Sequence, residues 1–185
     1  MEDLYQPVHE IETGWCRDPA IASDIARLFV AGADPSYISH SELQFGRAET
    51  PDRWASDLGA IILSSATKAI ADAARPTTDP HTKLAVATAN GTIVGFAFVS
   101  FMPGVRTPFA TLEDLLVTGA RGQGAGRAML DWIARTCRTA GFLRLFLESG
   151  ARNDRAHHFF ERHGFEQVSI VMKRDLPGLD DQSSP

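Results

Sequence analysis

Residues 111–130, TLEDLLVTGARGQGAGRAML, constrain this chain more than any other stretch. An apolar run ends at Val117, a glycine-rich turn follows, and helical spacing begins near Gly124. That spacing continues through Met129, Leu130, Ile133 and Cys137 to about residue 140. A strand that enters a helix through such a turn leaves several backbone N–H groups without partners at the helix start. Those groups and the helix dipole attract phosphate. Gly122, Gly124 and Gly126 let an anion approach the backbone, and Arg121 and Arg127 add positive charge. The run is not a P-loop, because no Lys-Ser or Lys-Thr follows the glycines. Nor is it a dinucleotide fingerprint, because Arg127 stands at the third-glycine position.

The rest of the chain supplies the elements around this turn. Strands are expected over 8–15, 84–89, 92–101, 111–117, 143–147 and 168–173. Helices are expected over 19–31, 52–74, 126–140 and 154–163. The first helix carries Ile21, Ile25, Leu28 and Phe29 at helical spacing; the second carries Trp54, Leu58, Ile61, Ile62 and Ala69. Asn90-Gly91 between two strand patterns is a hairpin signal, since both turn positions need positive φ. Residues 32–51 are polar and broken and read as irregular. The order predicts a single α/β domain over 1–176, a mixed sheet with helices on both faces, and a frayed tail over 177–185. The crossover through 118–142 should make its flanking strands parallel.

Composition narrows the partners. A net charge of −5 without a Lys/Arg-rich block argues against nucleic acid and anionic membrane surfaces. A cationic small molecule or a peptide amine suits it better. Cys16 and Cys137, the only cysteines, have no metal-ligand or disulfide-framework spacing. The acidic start MEDLYQPVHEIE lacks signal-peptide order, and no apolar run reaches the roughly 20 residues that span a bilayer. A cytoplasmic protein is expected.

Two motifs then resemble one known family. Arg121-Gly122-Gln123-Gly124-Ala125-Gly126 is similar to the Q/R-x-x-G-x-G/A signature of the GCN5-related N-acetyltransferases (GNAT). Downstream, NDRAHHFFERHGF at 153–165 resembles the family's N-x-x-A-x-x-F-Y-x-x-x-G-F segment, with Asn153, Ala156, Phe159, Gly164 and Phe165 aligned. The loop between Val117 and Arg121 is one residue shorter than usual and lacks the common proline. The resemblance implies a mostly antiparallel twisted sheet and acetyl-CoA, or another acyl-CoA, as co-substrate, with no metal. It also implies direct transfer of the acyl group to a primary amine. Residues 121–127 would wrap the pyrophosphate of coenzyme A. A backbone N–H of Leu115 or Leu116 would serve the thioester carbonyl, Val117 the pantetheine arm, and Asn153 and Phe160 the same cofactor side. Homodimers are common in the family.

Glu113 and Asp114 are adjacent on the strand before the turn, so alternation should send them to opposite faces, one toward the acceptor and one structural. Glu148, ending the next strand, is a third candidate carboxylate. Phe160 stands where many members carry a tyrosine thought to protonate the departing thiolate. His157, one helical turn earlier, is the nearest substitute donor, against the plainer reading of a surface histidine. Tyr37, His40 and Glu42 lie in the segment that borders the acceptor pocket in this family, although Ser39 and Glu42 also have the spacing of a capping box. A catalytically weak acyl-CoA sensor is the alternative to an enzyme.

Overall fold

The computed structural model describes residues 10–76, 78–118 and 124–176. Its centre is a long hairpin, β4 (His81–Ala89) and β5 (Thr92–Met102), closed by Asn90 and Gly91 at φ 50° and 73°. Both residues adopt the positive φ that a two-residue hairpin turn demands. β1 (Glu12–Trp15) runs antiparallel to β4, and β6 (Phe109–Val117) antiparallel to β5. β7 (Arg144–Leu147) lies parallel to β6, as the crossover requires. The sheet order is β1-β4-β5-β6-β7.

Alternation along the central strands sorts their side chains onto two faces. Leu84, Val86, Phe96, Phe98 and Leu116 pack beneath α1 (Ala22–Gly32) and α3 (Leu58–Ala71). Ala85, Ala87, Ala97, Val99 and Leu112 face α4 (Ala125–Thr139), which buries Met129, Leu130, Ile133 and Cys137 against them. The three alanines leave room for α4 to lie close, so truncating Met129 or Ile133 would open a cavity and cost about 2–5 kcal/mol. The result is the mixed, mostly antiparallel α/β sheet with helices on both faces that the sequence implied.

The expected irregular segment is more ordered than its composition suggests. It holds a short turn at Pro35–Tyr37 and the helix α2 (His40–Gln44). β2 (Ala48–Thr50) pairs with β3 (Arg53–Trp54) in a small separate hairpin, so α3 begins at Leu58 and not near residue 52. α5 (Asp154–Arg162) follows β7. One expected element is absent from the sheet. Residues 168–173 form no strand, and Val168, Ile170, Val171 and Met172 are exposed. Their alternation is ordinary strand patterning, but a strand exists only where another supplies its hydrogen bonds. The start of the first expected strand and the 177–185 tail lie outside the described residues. Among the described residues no helix is long and apolar enough to cross a membrane.

Candidate functional site at the parting of two parallel strands

β6 and β7 pair only from Phe109–Leu112 to Arg144–Leu147, and the C-terminal half of β6 runs on without a β7 partner. A bulge sits at the start of that half. Asp114 stands opposite Phe98 and Leu112 opposite Val99, which makes Glu113 the extra residue. Bulges re-aim side chains, and this one breaks the expected alternation. Glu113 takes a hydrogen bond from Ser100, while Asp114 is held by Tyr37 and Arg47. Ser100 is two residues beyond Phe98, so both carboxylates work on the α1 side of the sheet and not on opposite faces.

The partners of Asp114 come from the segment read as irregular. Arg47 grips it with two N–H donors, at 3.1 and 3.0 Å, and the Tyr37 hydroxyl donates to it at 3.0 Å. Aromatic packing fixes both. Tyr37 lies 6.0 Å from the Phe29 ring and 6.2 Å from Trp54, whose indole N–H donates to the Ala33 carbonyl. The Arg47 guanidinium sits 4.9 Å over Phe29 and 3.7 Å from Glu42. Burial alone would lower the Arg47 pKa, but Asp114 and Glu42 hold it above its ordinary value, so the guanidinium stays charged. Burial pushes the Tyr37 hydroxyl well up, with repulsion from Asp114 adding to it, so Tyr37 keeps its proton and donates.

The same hydroxyl oxygen accepts the Leu115 N–H at 3.2 Å. Thr118 donates across to Val94 of β5. Backbone alternation therefore turns the Leu116 N–H toward β5, and those of Leu115 and Val117 toward the opening beside β6. Of the two amides proposed for the thioester carbonyl, Leu115 faces the opening. Leu116 is buried, with its side chain beneath Gly32.

On the far wall, Glu148 receives His40 Nδ1 at 2.9 Å and the Ser39 hydroxyl at 3.3 Å. Ser39 also donates its N–H to Glu42 at 2.8 Å, so the capping box forms at α2 while His40 turns to Glu148. Partial burial raises the Glu113 pKa; the Ser100 hydrogen bond opposes the rise, and Asp114 and Glu148 add to it by repulsion. Four carboxylates thus gather where β6 and β7 part: Glu113 and Glu148 are exposed, while Asp114 and Glu42 are buried with Arg47 as their counter-charge. Gly150 ties the walls together, because a Cβ there would strike the backbone carbonyls of Ser36 and Ile38 on either side of Tyr37.

The other side of β6 meets the start of α4. Gly124 is its N-cap at φ 84°, in the left-handed region that suits glycine. The missing side chain of Gly126 points at Val117 (3.3 Å) and Phe159 (3.5 Å), so this glycine allows β6, α4 and α5 to converge and does not open the loop. Ala125 is buried beside it. Arg127 is exposed, 3.6 Å from Asp131, and the two share a surface cavity of about 520 Å³ with Arg162 and His163. The N-terminus of α4, with Arg127 and Arg162 lining the neighbouring cavity, fits the pyrophosphate of coenzyme A. Arg121, Gly122 and Gln123 lie outside the described residues. Asn153 caps α5 by accepting the Ala156 N–H at 3.2 Å. Phe160 packs between Phe159 and Phe165, and His157 is half-buried one turn before it. Among the described residues no cluster of three or more His, Cys, Asp or Glu is placed to hold a metal ion.

Sequence reasoning missed Arg47, Ser100, Gly150 and Arg162. Arg162 carried a signal, lying inside the 153–165 motif. The other three become visible only when distant segments meet.

Known proteins agree with this architecture. Residues 50–165 match the acetyltransferase (GNAT) family. Proteins named uncharacterized N-acetyltransferases from Mycobacterium tuberculosis (strain H37Rv) and Mycobacterium bovis are 30% identical over 89 residues, 48% of this chain and 56% of theirs. The chain thus spans about half the length of the curated relatives it matches. Aminoglycoside N-acetyltransferase AAC(6')-Iy, solved with CoA, superposes with a TM-score of 0.57 at 16% identity, over 91% of this chain and 95% of that one. A ribosomal-protein-alanine N-acetyltransferase from Brucella melitensis biovar Abortus gives 0.56 at 14%, over 89% and 100%. A transcriptional regulator from Bacillus halodurans gives 0.63 at 18%, over 90% and 100%. These likenesses share a fold and differ in the activities their names state, and together with the family match they lead to one assignment: the chain belongs to the acetyltransferase (GNAT) family.

Proposed function

We propose that this chain transfers an acetyl group from acetyl-CoA to a cationic primary amine of a small molecule or peptide. The observation that carries the proposal is the Glu113 bulge, which sets a carboxylate of raised pKa among Asp114, Glu42 and Glu148 where β6 and β7 part. An ammonium ion is drawn to such a cluster, and the amine must lose a proton before it attacks. Glu113 is the base, directly or through water. Glu148, oriented by His40 and Ser39, holds the cationic part of the acceptor. Asp114 is a positioning residue that fixes Tyr37 and Arg47.

Acetyl-CoA supplies the activated acyl group as a thioester. The residues suited to hold it are Gly124, Ala125 and Arg127 at the start of α4, with Arg162 and His163 at the neighbouring cavity. The Leu115 N–H is the donor for the carbonyl oxygen, where a preorganised amide stabilises developing charge. The Tyr37 hydroxyl occupies that N–H and must yield it. Phe160 has no proton to give, so His157 is the donor to the leaving thiolate.

The absent hydroxyl at Phe160 also supports a second reading, a catalytically weak acyl-CoA sensor. Thiol release measured with acetyl-CoA across cationic, neutral and anionic acceptors separates the two. Turnover with cationic amines supports the enzyme, and binding of acetyl-CoA without turnover on any acceptor supports the sensor. Failure to bind acetyl-CoA overturns both.

A further inference from the structure

On the α1 side of the sheet, α1 and α3 lie over Leu84, Val86, Phe96, Phe98 and Leu116. Further along the same face stand Met102 of β5, Phe109 and Thr111 of β6, and Phe146 of β7. Register sets them side by side, with Met102 opposite Phe109 and Thr111 opposite Phe146. Ala110, Leu112, Leu145 and Leu147 pack on the α4 side, so alternation turns Phe109, Thr111 and Phe146 the other way. The Phe109 and Phe146 rings meet edge to face, centroids 5.4 Å apart, and belong to neither apolar layer. Both are half-buried, and Met102 beside them is 36% exposed. Phenyl rings carry large apolar area, and two of them left half in water side by side mark a surface with something to bind.

This platform is continuous with the carboxylates. Glu113 takes its hydrogen bond from Ser100, which stands opposite Thr111, and Glu148 follows Phe146 by two residues, about 7 Å along a strand. Negative charge and apolar surface therefore adjoin on one face. We propose that the acceptor is an aralkylamine: its ammonium meets Glu113 and Glu148, and its ring lies on Phe146 and Phe109, a short alkyl linker away. This rests on the reading that the amine is received at those two carboxylates. Charge draws in any cationic amine and so discriminates little among them; the two rings add the discrimination, because an acceptor without an apolar body leaves them in water. Phe146, the ring nearer the carboxylates along its strand, is then a specificity-determining residue.

The test compares 2-phenylethylamine with n-butylamine, which carries the same charge and no ring, at saturating acetyl-CoA. The ratio of their kcat/KM values in the wild type, divided by the same ratio in Phe146→Ala, cancels their difference in basicity. A quotient of about ten is expected, since a ring laid on one face buries roughly half of what a core phenylalanine buries. Phe146→Leu, which keeps an apolar side chain in the sheet, should give a smaller quotient in the same direction, and it carries the test if the alanine variant does not fold. A quotient of one overturns the proposal, whether the variant loses nothing or loses both acceptors alike, and leaves the amine reading standing. If the wild type neither binds nor acetylates either amine, the reading of Glu113 and Glu148 fails, and this one with it.

Discussion

Glu113 shows how one inserted residue sets the chemistry of a strand. Leu112 faces α4, so plain alternation would send Asp114 back to that side; the bulge keeps Asp114 beside Glu113, whose carboxyl rests against Ser100 and near Asp114 and Glu148. Its raised pKa has a definite sign. With Glu113 as the proposed base, protonation below that pKa stops it from taking a proton from the acceptor, so kcat/KM should rise with pH along a limb set above the ordinary Glu value of about 4.3. Glu113→Gln should remove the limb and lower kcat/KM about 10²-fold or more, measured across pH at fixed ionic strength. An unchanged profile would make the carboxylate structural. Phe160 carries the complementary expectation. Phe160→Tyr should raise kcat and His157→Ala should lower it, and no change in either would leave the thiolate to solvent. The residues of this site were legible in part. Glu113, Asp114, Tyr37, His40, Glu42 and Glu148 all face or support the opening, but the bulge that gathers them has no local sequence signal, and Arg47 looked like any loop cation.

At the level of elements, the segment from Ala33 to Trp54 matters most, because it is short of regular structure yet holds the carboxylate wall in place. Its order rests on contacts with Phe29, β6 and the loop after β7, which lie far away in sequence and leave no periodic pattern. The amphipathic helices and the Asn-Gly hairpin announce themselves through period and turn chemistry; α2, β2 and β3 do not. Gly150 offers a test of that tertiary dependence. Gly150→Ala should push the Ser36–Ile38 backbone away, displace Tyr37 from Asp114 and Leu115, and lower kcat/KM roughly tenfold while acetyl-CoA affinity stays within about twofold. A loss of acetyl-CoA binding would mean the damage had spread to α4. Arg47→Met asks about stability. It strands two carboxylates that are each 3% exposed, and breaking a buried pair costs about 3–5 kcal/mol, roughly 6–20 °C in Tm for a chain of this size. Adding Asp114→Leu should return part of that loss in calorimetry, since the stranded charge nearest Arg47 is then removed.

Across the whole molecule, two apolar layers on one sheet hold a pair of arginines, Arg127 and Arg162, and a group of carboxylates on either side of β6, the proposed cofactor and acceptor sides. The layers were readable because each strand alternates and each helix has one apolar face. The fate of residues 168–173 was not, because pattern specifies a strand without naming its partner. The opposed charges make a testable signature. A cationic acceptor approaching the exposed Glu113 and Glu148 would be steered by fields that reach about 30 Å at 0.01 M salt and about 10 Å at 0.1 M. With acetyl-CoA saturating, so that the Arg127 and Arg162 side is already filled, kcat/KM for a polyamine should fall by about three- to tenfold between 0.01 and 0.2 M salt. A neutral amine analogue should show little dependence. Glu148→Gln should flatten the slope for the polyamine and leave the acetyl-CoA affinity and its own salt dependence as they were. If the slopes for charged and neutral acceptors coincide, the carboxylates serve packing and proton transfer alone, and acceptor charge is not what this site selects.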